Sequence, residues 1–128
     1  RDLRARPVLE RDQLLALRRV ADAVYLDGKI RGYILDLVRA TREPRAAGLA
    51  EIADLVSFGA SPRATVYLAR AAKALALVRG RGYVIPEDVK ELAPDVLRHR
   101  ILPTYEAEAE DITSDDLIAK LLERIEVP

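Results

Sequence analysis

The sequence predicts a single, mostly α-helical domain, built as a helical bundle with a few short strand segments. Half of its 128 residues are hydrophobic, so a chain of this length can bury a substantial core. The apolar residues recur mostly at helical spacing. Proline, glycine and capping residues punctuate these runs where helices would begin and end.

The first third of the chain contains two predicted helices. One runs from about residue 11 to 23 and should bury a side made of Leu14, Leu17, Ala21 and Val24. After a short run of strand formers at 24–26, Asp27 is a good N-cap for the second helix. That helix should end near Glu43, because Pro44 disfavours helical backbone at the residue before it. Its core-facing residues are predicted to be Ile30, Tyr33, Ile34, Leu37 and Val38.

Residues 44–60 form a predicted connector with one helical turn within 49–56. A third long helix should follow, with Ser61 as its N-cap and Pro62 at the first helical position, where the missing N–H costs nothing. It should extend to about Arg79 and end at Gly80. Its expected core face consists of Ala64, Leu68, Ala71, Leu75 and Val78.

The last third begins with a brief extended link at 83–85. Pro86 then opens a helix with acids in its first turn, and Pro94 is expected to interrupt it. Alternating apolar and acidic residues at 105–110 predict a short exposed strand. A final helix should start after Thr113 or Ser114. Its predicted buried side contains Leu117, Ile118, Leu121 and Leu122.

One domain over residues 1–128 is the simplest organisation, with residues 102–128 as an acidic C-terminal subdomain packed on the same body. The chain has no methionine, even at position 1, so we expect a piece of a longer polypeptide or a processed chain. No apolar run approaches the roughly 20 residues of a membrane span. The sequence has no cysteine and no signal peptide, which favours a cytoplasmic protein.

Charge is unevenly distributed, although the formal net charge is zero. The zero balance argues against a general nucleic-acid binder. Residues 1–100 carry 19 basic and 13 acidic side chains, whereas residues 101–128 carry 2 and 8. Residues 55–86 contain no acid. A local basic surface is therefore expected from Arg63, Arg70, Lys73, Arg79 and Arg81.

The third helix carries the main candidate site. Arg63, Tyr67, Arg70 and Lys73 share a face beside the predicted core stripe. Arg63 lies in the first turn, where the helix dipole favours an anion, and its planar guanidinium suits phosphate oxygens. A cation there works against the dipole, which makes it a functional candidate. A surface arginine without a specific role remains the alternative.

The same region resembles a known family. Residues 59–64 read Gly-Ala-Ser-Pro-Arg-Ala, and residues 68–76 read Leu-Ala-Arg-Ala-Ala-Lys-Ala-Leu-Ala. Together they resemble the lid signature of MoxR-type AAA+ ATPases. Residues 33–42, 83–89 and 96–101 resemble neighbouring elements in the family's order, so the resemblance covers most of residues 8–128. Two features depart from the pattern: Ile85 replaces the usual Thr or Ser cap, and the connector at 43–58 is longer than expected.

The resemblance implies a helical lid behind an α/β nucleotide-binding core of the same chain. It implies that Arg63 is the second sensor residue, which reaches the terminal phosphates of ATP, with Ser61 and Pro62 supporting the helix start. The parent protein would use ATP and Mg²⁺, hydrolyse ATP and form a ring, usually a hexamer, with neighbouring subunits. It would act as a chaperone, in some cases with a von Willebrand type A domain protein.

Missing motifs limit what the chain could do alone. It contains no Gly-x-x-x-x-Gly-Lys-Ser/Thr phosphate loop, so we expect no hydrolysis and no bound cofactor without the rest of the protein. With no cysteine and one histidine, His99, a zinc site is not expected. For the acids of 106–111, a solvated strand edge is favoured over a cation site. A contact with a neighbouring subunit's basic surface is a further alternative.

Two further functions stay open. One is a protein-interaction domain with no nucleotide role. The other is a nucleic-acid-binding module that uses the basic helix at 62–79. The scarcity of stacking aromatics, with Tyr67 alone inside the basic stretch, disfavours the second.

Overall fold

A computed structural model describes residues 3–128, so residues 1 and 2 of the predicted domain lie outside the described residues. The fold is mostly α-helical with one small antiparallel sheet, which confirms the predicted class. In chain order, the elements of this part are α1 (Arg11–Asp22), α2 (Gly28–Arg42), α3 (Ala50–Ala53), β1 (Val56–Phe58), α4 (Arg63–Val78), α5 (Pro86–Leu97), β2 (Leu102–Pro103), α6 (Tyr105–Ala109) and α7 (Ser114–Arg124).

Helix α2 lies in the middle of the core, with α4 and α7 packed against it. Its predicted N-cap is confirmed, since the Asp27 carboxylate accepts a hydrogen bond of 2.8 Å from the Lys29 amide. The helix ends at Arg42, as Pro44 predicts. All five predicted core positions, from Ile30 to Val38, are buried.

Helix α4 packs against α1, α2 and α5. The first part of its predicted core face, Ala64 and Leu68, is confirmed, whereas Ala71 and Leu75 are only partly buried. The buried residues are Ala64, Leu68, Ala72 and Ala76, whereas Val78 is 83% exposed. The contact follows the i, i+4 ridge, which winds around the helix by about 40° per step. A straight stripe down the helix therefore diverges from the packed face towards the C-terminus.

The end of α4 matches the prediction. Gly80 has a positive φ of 75°. Its amide donates to the Leu77 carbonyl at 2.9 Å, and the Arg81 amide donates to the Ala76 carbonyl at 2.9 Å. These two bonds close the helix as a left-handed glycine commonly does. The two predicted extended segments, 24–26 and 83–85, lie side by side and form a parallel bridge between Tyr25 and Tyr83.

The predicted buried side of α1 is wrong. No residue of α1 is buried, and Leu14 and Leu17 are about half exposed. Only Val24, beyond the end of the helix, belongs to the core. Helix α1 packs on α4, and this contact leaves much of its apolar side exposed.

Two other predictions fail in the last third. Helix α5 continues through Pro94. Proline has no N–H to donate to the preceding turn, but the burial of Ala93 and Leu97 on either side stabilises the helix there. Residues 105–109 form helix α6 and not a strand. The Thr104 hydroxyl caps α6 by accepting from the Ala107 amide at 3.3 Å. Alanine and glutamate are good helix formers, so their alternation is a weak strand signal.

The remaining elements complete the core. Strand β1, which was not predicted, pairs antiparallel with β2 through Val56 with Pro103 and Phe58 with Leu102. Helix α7 begins after its Thr113 cap, as expected. It packs on α2 and α5. Its buried residues are Leu117, Ile118 and Leu121, with Leu122 only partly buried against them.

Candidate functional site

Arg63 is the first residue of α4, and its side chain is exposed. Pro62 before it already has helical torsions, with φ −55° and ψ −24°, in keeping with its predicted place at the start of the helix. The expected Ser61 side-chain cap is wrong, since α4 has no side-chain cap hydrogen bond. The Ala64 amide that such a cap would satisfy donates instead to the Ser61 carbonyl at 2.9 Å.

The loop that leads into Arg63 is fixed to the end of α2. The Thr41 hydroxyl accepts a 2.9 Å hydrogen bond from the Ala60 amide and donates a 2.7 Å bond to the Val38 carbonyl. Thr41 and Ala60 are both buried. Sequence reasoning missed this contact. Its only signal was a threonine at the end of an apolar helix, a place where the hydroxyl often bonds backbone.

Gly59 makes the close approach between this loop and α2 possible. A Cβ atom on Gly59 would overlap the Thr41 carbonyl group and lie 2.7 Å from Arg42 Cα. Because those atoms are backbone, they cannot move aside as a flexible side chain could. Glycine is therefore required here for space, although its φ is not in the left-handed region.

The predicted basic surface divides into two kinds of residue. Lys73 donates from Nζ to the Asp22 carbonyl at 3.0 Å, and Arg79 forms an ion pair of 2.7 Å with Glu91. Arg81 binds a buried carboxylate, described below. By contrast, the side chains of Arg63 and Arg70 form no hydrogen bond or ion pair with any residue of 3–128. These two guanidinium groups are therefore available to bind a ligand or a partner.

Tyr67 and Arg100 lie beside this exposed pair. The Arg100 guanidinium carbon sits 4.9 Å from the centre of the Tyr67 ring, a distance typical of a cation–π contact. Tyr67 is one helical turn after Arg63, so the same face of α4 carries both. The contact ties the end of α5 to the N-terminal half of α4.

Asp88 forms the centre of a buried ion pair at the opposite end of α4. Its carboxylate accepts two hydrogen bonds from Arg81 and a third, of 2.9 Å, from the Ile85 amide, while Arg79 lies 3.9 Å away. Burial raises the pKa of Asp88, but the hydrogen bonds and both cations outweigh it and hold that pKa below its usual range. The Asp88 bond likewise raises the pKa of Arg81. The sequence predicts Arg81 on the basic surface and an acid in the first turn of α5, but it does not predict that Arg81 and Asp88 pair.

An open groove of about 440 Å³ lies between α2 and α4, beside Arg70. Apolar side chains of Leu26, Ile34 and Val66 line it, with Arg70 and Lys73 among its basic residues. Arg63 is outside its lining. The groove therefore offers an apolar surface with positive charge next to the candidate site.

The described residues contain neither a candidate metal site nor a helix that could span a membrane. Within residues 3–128, no group of three or more His, Asp or Glu side chains could hold a metal ion. The acids at 106–111 lie on and after α6, so their predicted position on a strand edge is wrong. Every helix in this part is too short or too polar to cross a membrane.

Comparison with known proteins agrees with the fold. Residues 49–121 match the AAA lid domain family, which defines the class of protein. Chaperone MoxR1 of Mycobacterium tuberculosis is 42% identical over 97% of the chain, and protein MoxR of Paracoccus denitrificans is 39% identical over 71%. A crystal structure described as an ATPase of Cytophaga hutchinsonii superposes with a TM-score of 0.88 and 41% identity over 91% of the chain.

The chain therefore belongs to the MoxR family of AAA+ ATPases and forms its lid domain. It spans about a third of the length of these relatives: 33% of the Mycobacterium protein, 29% of the Paracoccus protein and 36% of the Cytophaga chain.

Proposed function

We propose that Arg63 is the second sensor of a full-length MoxR-type ATPase, in which it contacts the terminal phosphates of ATP held by the α/β core. One observation carries this proposal. Arg63 is exposed at the first position of α4, and its side chain has no hydrogen-bond or ion-pair partner among residues 3–128. A cation placed against the helix dipole without a partner costs stability, so a ligand outside these residues would account for it.

The local geometry favours a side-chain contact over a backbone cradle. The Ala64 and Thr65 amides donate to the Ser61 and Pro62 carbonyls at 2.9 and 3.1 Å. These amides are therefore not free to bind an anion, and the guanidinium fork of Arg63 would make the contact. Ser61 and Pro62 support it through their backbone, and Arg70 on the same face adds positive charge.

The rest of the proposed activity depends on residues outside this chain. The AAA+ core would supply the phosphate loop and hold ATP and Mg²⁺, so hydrolysis belongs to the full-length protein. We also propose that residues 1–128 form one lid with an acidic C-terminal part at 102–128. The parent would work in the cytoplasm as a hexameric ring with chaperone activity, with neighbouring subunits and a von Willebrand type A domain protein as partners.

The test is ATP turnover and nucleotide affinity of the full-length protein carrying Arg63→Ala or Arg63→Lys. Turnover should fall by roughly 10²-fold in Arg63→Ala, the scale for loss of one donor to a charged reacting group. Lysine should restore only part of it, because it lacks the planar fork. Arg11→Ala is the matched control, since Arg11 is also an exposed arginine at the first position of a helix.

Unchanged turnover and affinity in Arg63→Ala would overturn the proposal and leave an interaction domain as the better description. A nucleic-acid module would instead shift a labelled oligonucleotide at low salt and lose that binding steeply as salt rises. Three of its five predicted cations, however, are held in contacts within the domain.

A further inference from the structure

We infer that Thr41 is a positioning residue for Arg63, and this inference rests on the proposed function. Thr41 lies near the end of α2, 22 positions before Arg63 in the sequence, yet its hydroxyl holds the loop that delivers Arg63 to the surface. It does not touch the proposed ligand. It acts by fixing where the first turn of α4 begins.

The hydrogen bonds of Thr41 give its hydroxyl a defined direction. The hydroxyl donates to the Val38 carbonyl at 2.7 Å, so its proton points back along α2. Its lone pairs are then left to accept the Ala60 amide at 2.9 Å. Ala60 is fully buried, so water cannot reach its N–H, and losing the hydroxyl would leave this donor unsatisfied.

A second constraint acts at the same point. The linker of residues 59–62 joins β1 to α4. Its first residue, Gly59, packs directly on the backbone of Thr41 and Arg42. Close packing at Gly59 therefore holds the linker directly on α2, and the hydrogen bond from the Ala60 amide to Thr41 fixes its register. Only two residues then separate Ala60 from Arg63, and one of them is proline with a fixed φ.

This arrangement makes the position of Arg63 depend on α2. A misplacement of about 1 Å at a reacting centre can cost on the order of 10²-fold in rate. Replacement of Thr41 by valine keeps the side-chain shape and removes the hydroxyl. We expect Thr41→Val to lower ATP turnover of the full-length protein roughly tenfold, the equivalent of about 1.4 kcal/mol in the barrier. The division between kcat and KM should follow that of Arg63→Ala.

Two variants separate positioning from general destabilisation. Thr41→Ser retains the hydroxyl and should stay within about twofold of the unmutated rate, since less than 0.5 kcal/mol is at stake. Thr104→Val is the matched control. Its hydroxyl also donates to a backbone carbonyl, that of Asp54, and accepts a backbone amide, that of Ala107. It should leave turnover within about twofold.

The double variant decides whether Thr41 acts through Arg63. If it does, adding Thr41→Val to Arg63→Ala should cause little further loss, because coupled residues are not additive. A full additional tenfold loss would overturn the inference, and so would a Thr41→Val rate equal to the unmutated rate while Arg63→Ala is impaired. No effect of Arg63→Ala itself would instead refute the proposed function.

Folding is checked by thermal unfolding of each variant. If Thr41→Val does not fold, Thr41→Ala takes its place, because alanine removes the hydroxyl without placing an apolar methyl group against the Ala60 amide. The same turnover comparison with Thr41→Ser and the same double variant then apply. Turnover of Thr41→Ala equal to that of Thr41→Ser would overturn the inference.

Discussion

Replacement of Asp88 by asparagine should destabilise the domain more than any surface substitution. The side chain keeps its size, but it loses its charge in a fully buried place. The Arg81 fork, which makes two hydrogen bonds to the carboxylate, would then face an amide that can accept at only one atom. Arg81 would also lose its counter-ion within a poorly solvated contact.

The magnitude follows from the environment of both partners. Removing one member of a buried ion pair costs about 3–5 kcal/mol. The Arg81 side chain is 21% exposed and also donates to the Tyr83 carbonyl at 3.0 Å, so it regains some solvation. We therefore expect Asp88→Asn to cost about 3 kcal/mol, at the lower end of that range. For a domain of this size, that loss lowers the Tm by roughly 10 °C.

The assay is urea unfolding of the chain at pH 7, followed by far-ultraviolet circular dichroism. Asp116→Asn is the matched control, because Asp116 also occupies the third position of its helix and accepts the amide of the N-cap residue, Thr113. It is exposed and has no arginine partner among the described residues. The difference between the two variants isolates the buried ion pair from the helix cap.

Equal shifts of the urea midpoint in Asp88→Asn and Asp116→Asn would contradict this prediction. A cost of less than about 1 kcal/mol for Asp88→Asn, the scale of one ordinary hydrogen bond, would contradict it too. Either result would mean that the Arg81 contact contributes nothing beyond the bond to Ile85.

Three other outcomes are expected. The folded-state pKa of Asp88 lies below its unfolded value of about 3.9, so its contribution to the free energy of unfolding should be fully present above that pH and lost as the pH falls through the folded pKa. Urea unfolding from pH 5 to 2 measures this loss, and Asp88→Asn should make the profile flatter. Gly59→Ala should lower the Tm strongly, because its Cβ would overlap the Thr41 carbonyl; a Tm within 1 °C of the parent would contradict the close approach. On α4, Ala72→Leu should cost about 1–3 kcal/mol by overpacking, whereas Val78→Ala should stay within about 0.5 kcal/mol; equal effects in urea unfolding would contradict the observed buried row.

Local chemistry was sufficient to predict several elements. Asp27 and Thr113 cap the helices that follow them, and Gly80 closes α4, because each acts on backbone groups within a few residues. The five predicted core residues of α2 are all buried, since α4 and α7 pack on this helix and its apolar pattern is strongly periodic.

The failures depend on contacts between distant segments. Whether Leu14 is buried depends on what covers α1, and how far α5 extends beyond Pro94 depends on the packing of Ala93 and Leu97. The row of α4 that faces the core is set by the ridge that packs against its neighbours. The apolar pattern alone therefore placed Val78 in the core, although Val78 is exposed.

The candidate site divides in the same way. The local sequence around Pro62 was sufficient to predict that Arg63 lies in the first turn of α4. The hydroxyl of Thr41 and the charge of Asp88 gain their importance only when the fold brings them to Ala60 and Arg81. A buried aspartate in a helix's first turn looks like any other N-terminal acid in the sequence.

The buried row of α4 also bears on how this helix could move. Three of its four fully buried residues are alanine, at positions 64, 72 and 76, and Leu68 is the exception. Alanine has no side-chain torsion to readjust, so a small slide of α4 along α2 and α5 changes contact area without switching rotamers. Such a surface opposes shear weakly compared with interlocked large side chains. Axial sliding is then resisted by Leu68 and by the polar contacts along and beside the helix, at Ala60, Tyr67, Lys73, Arg79 and Arg81.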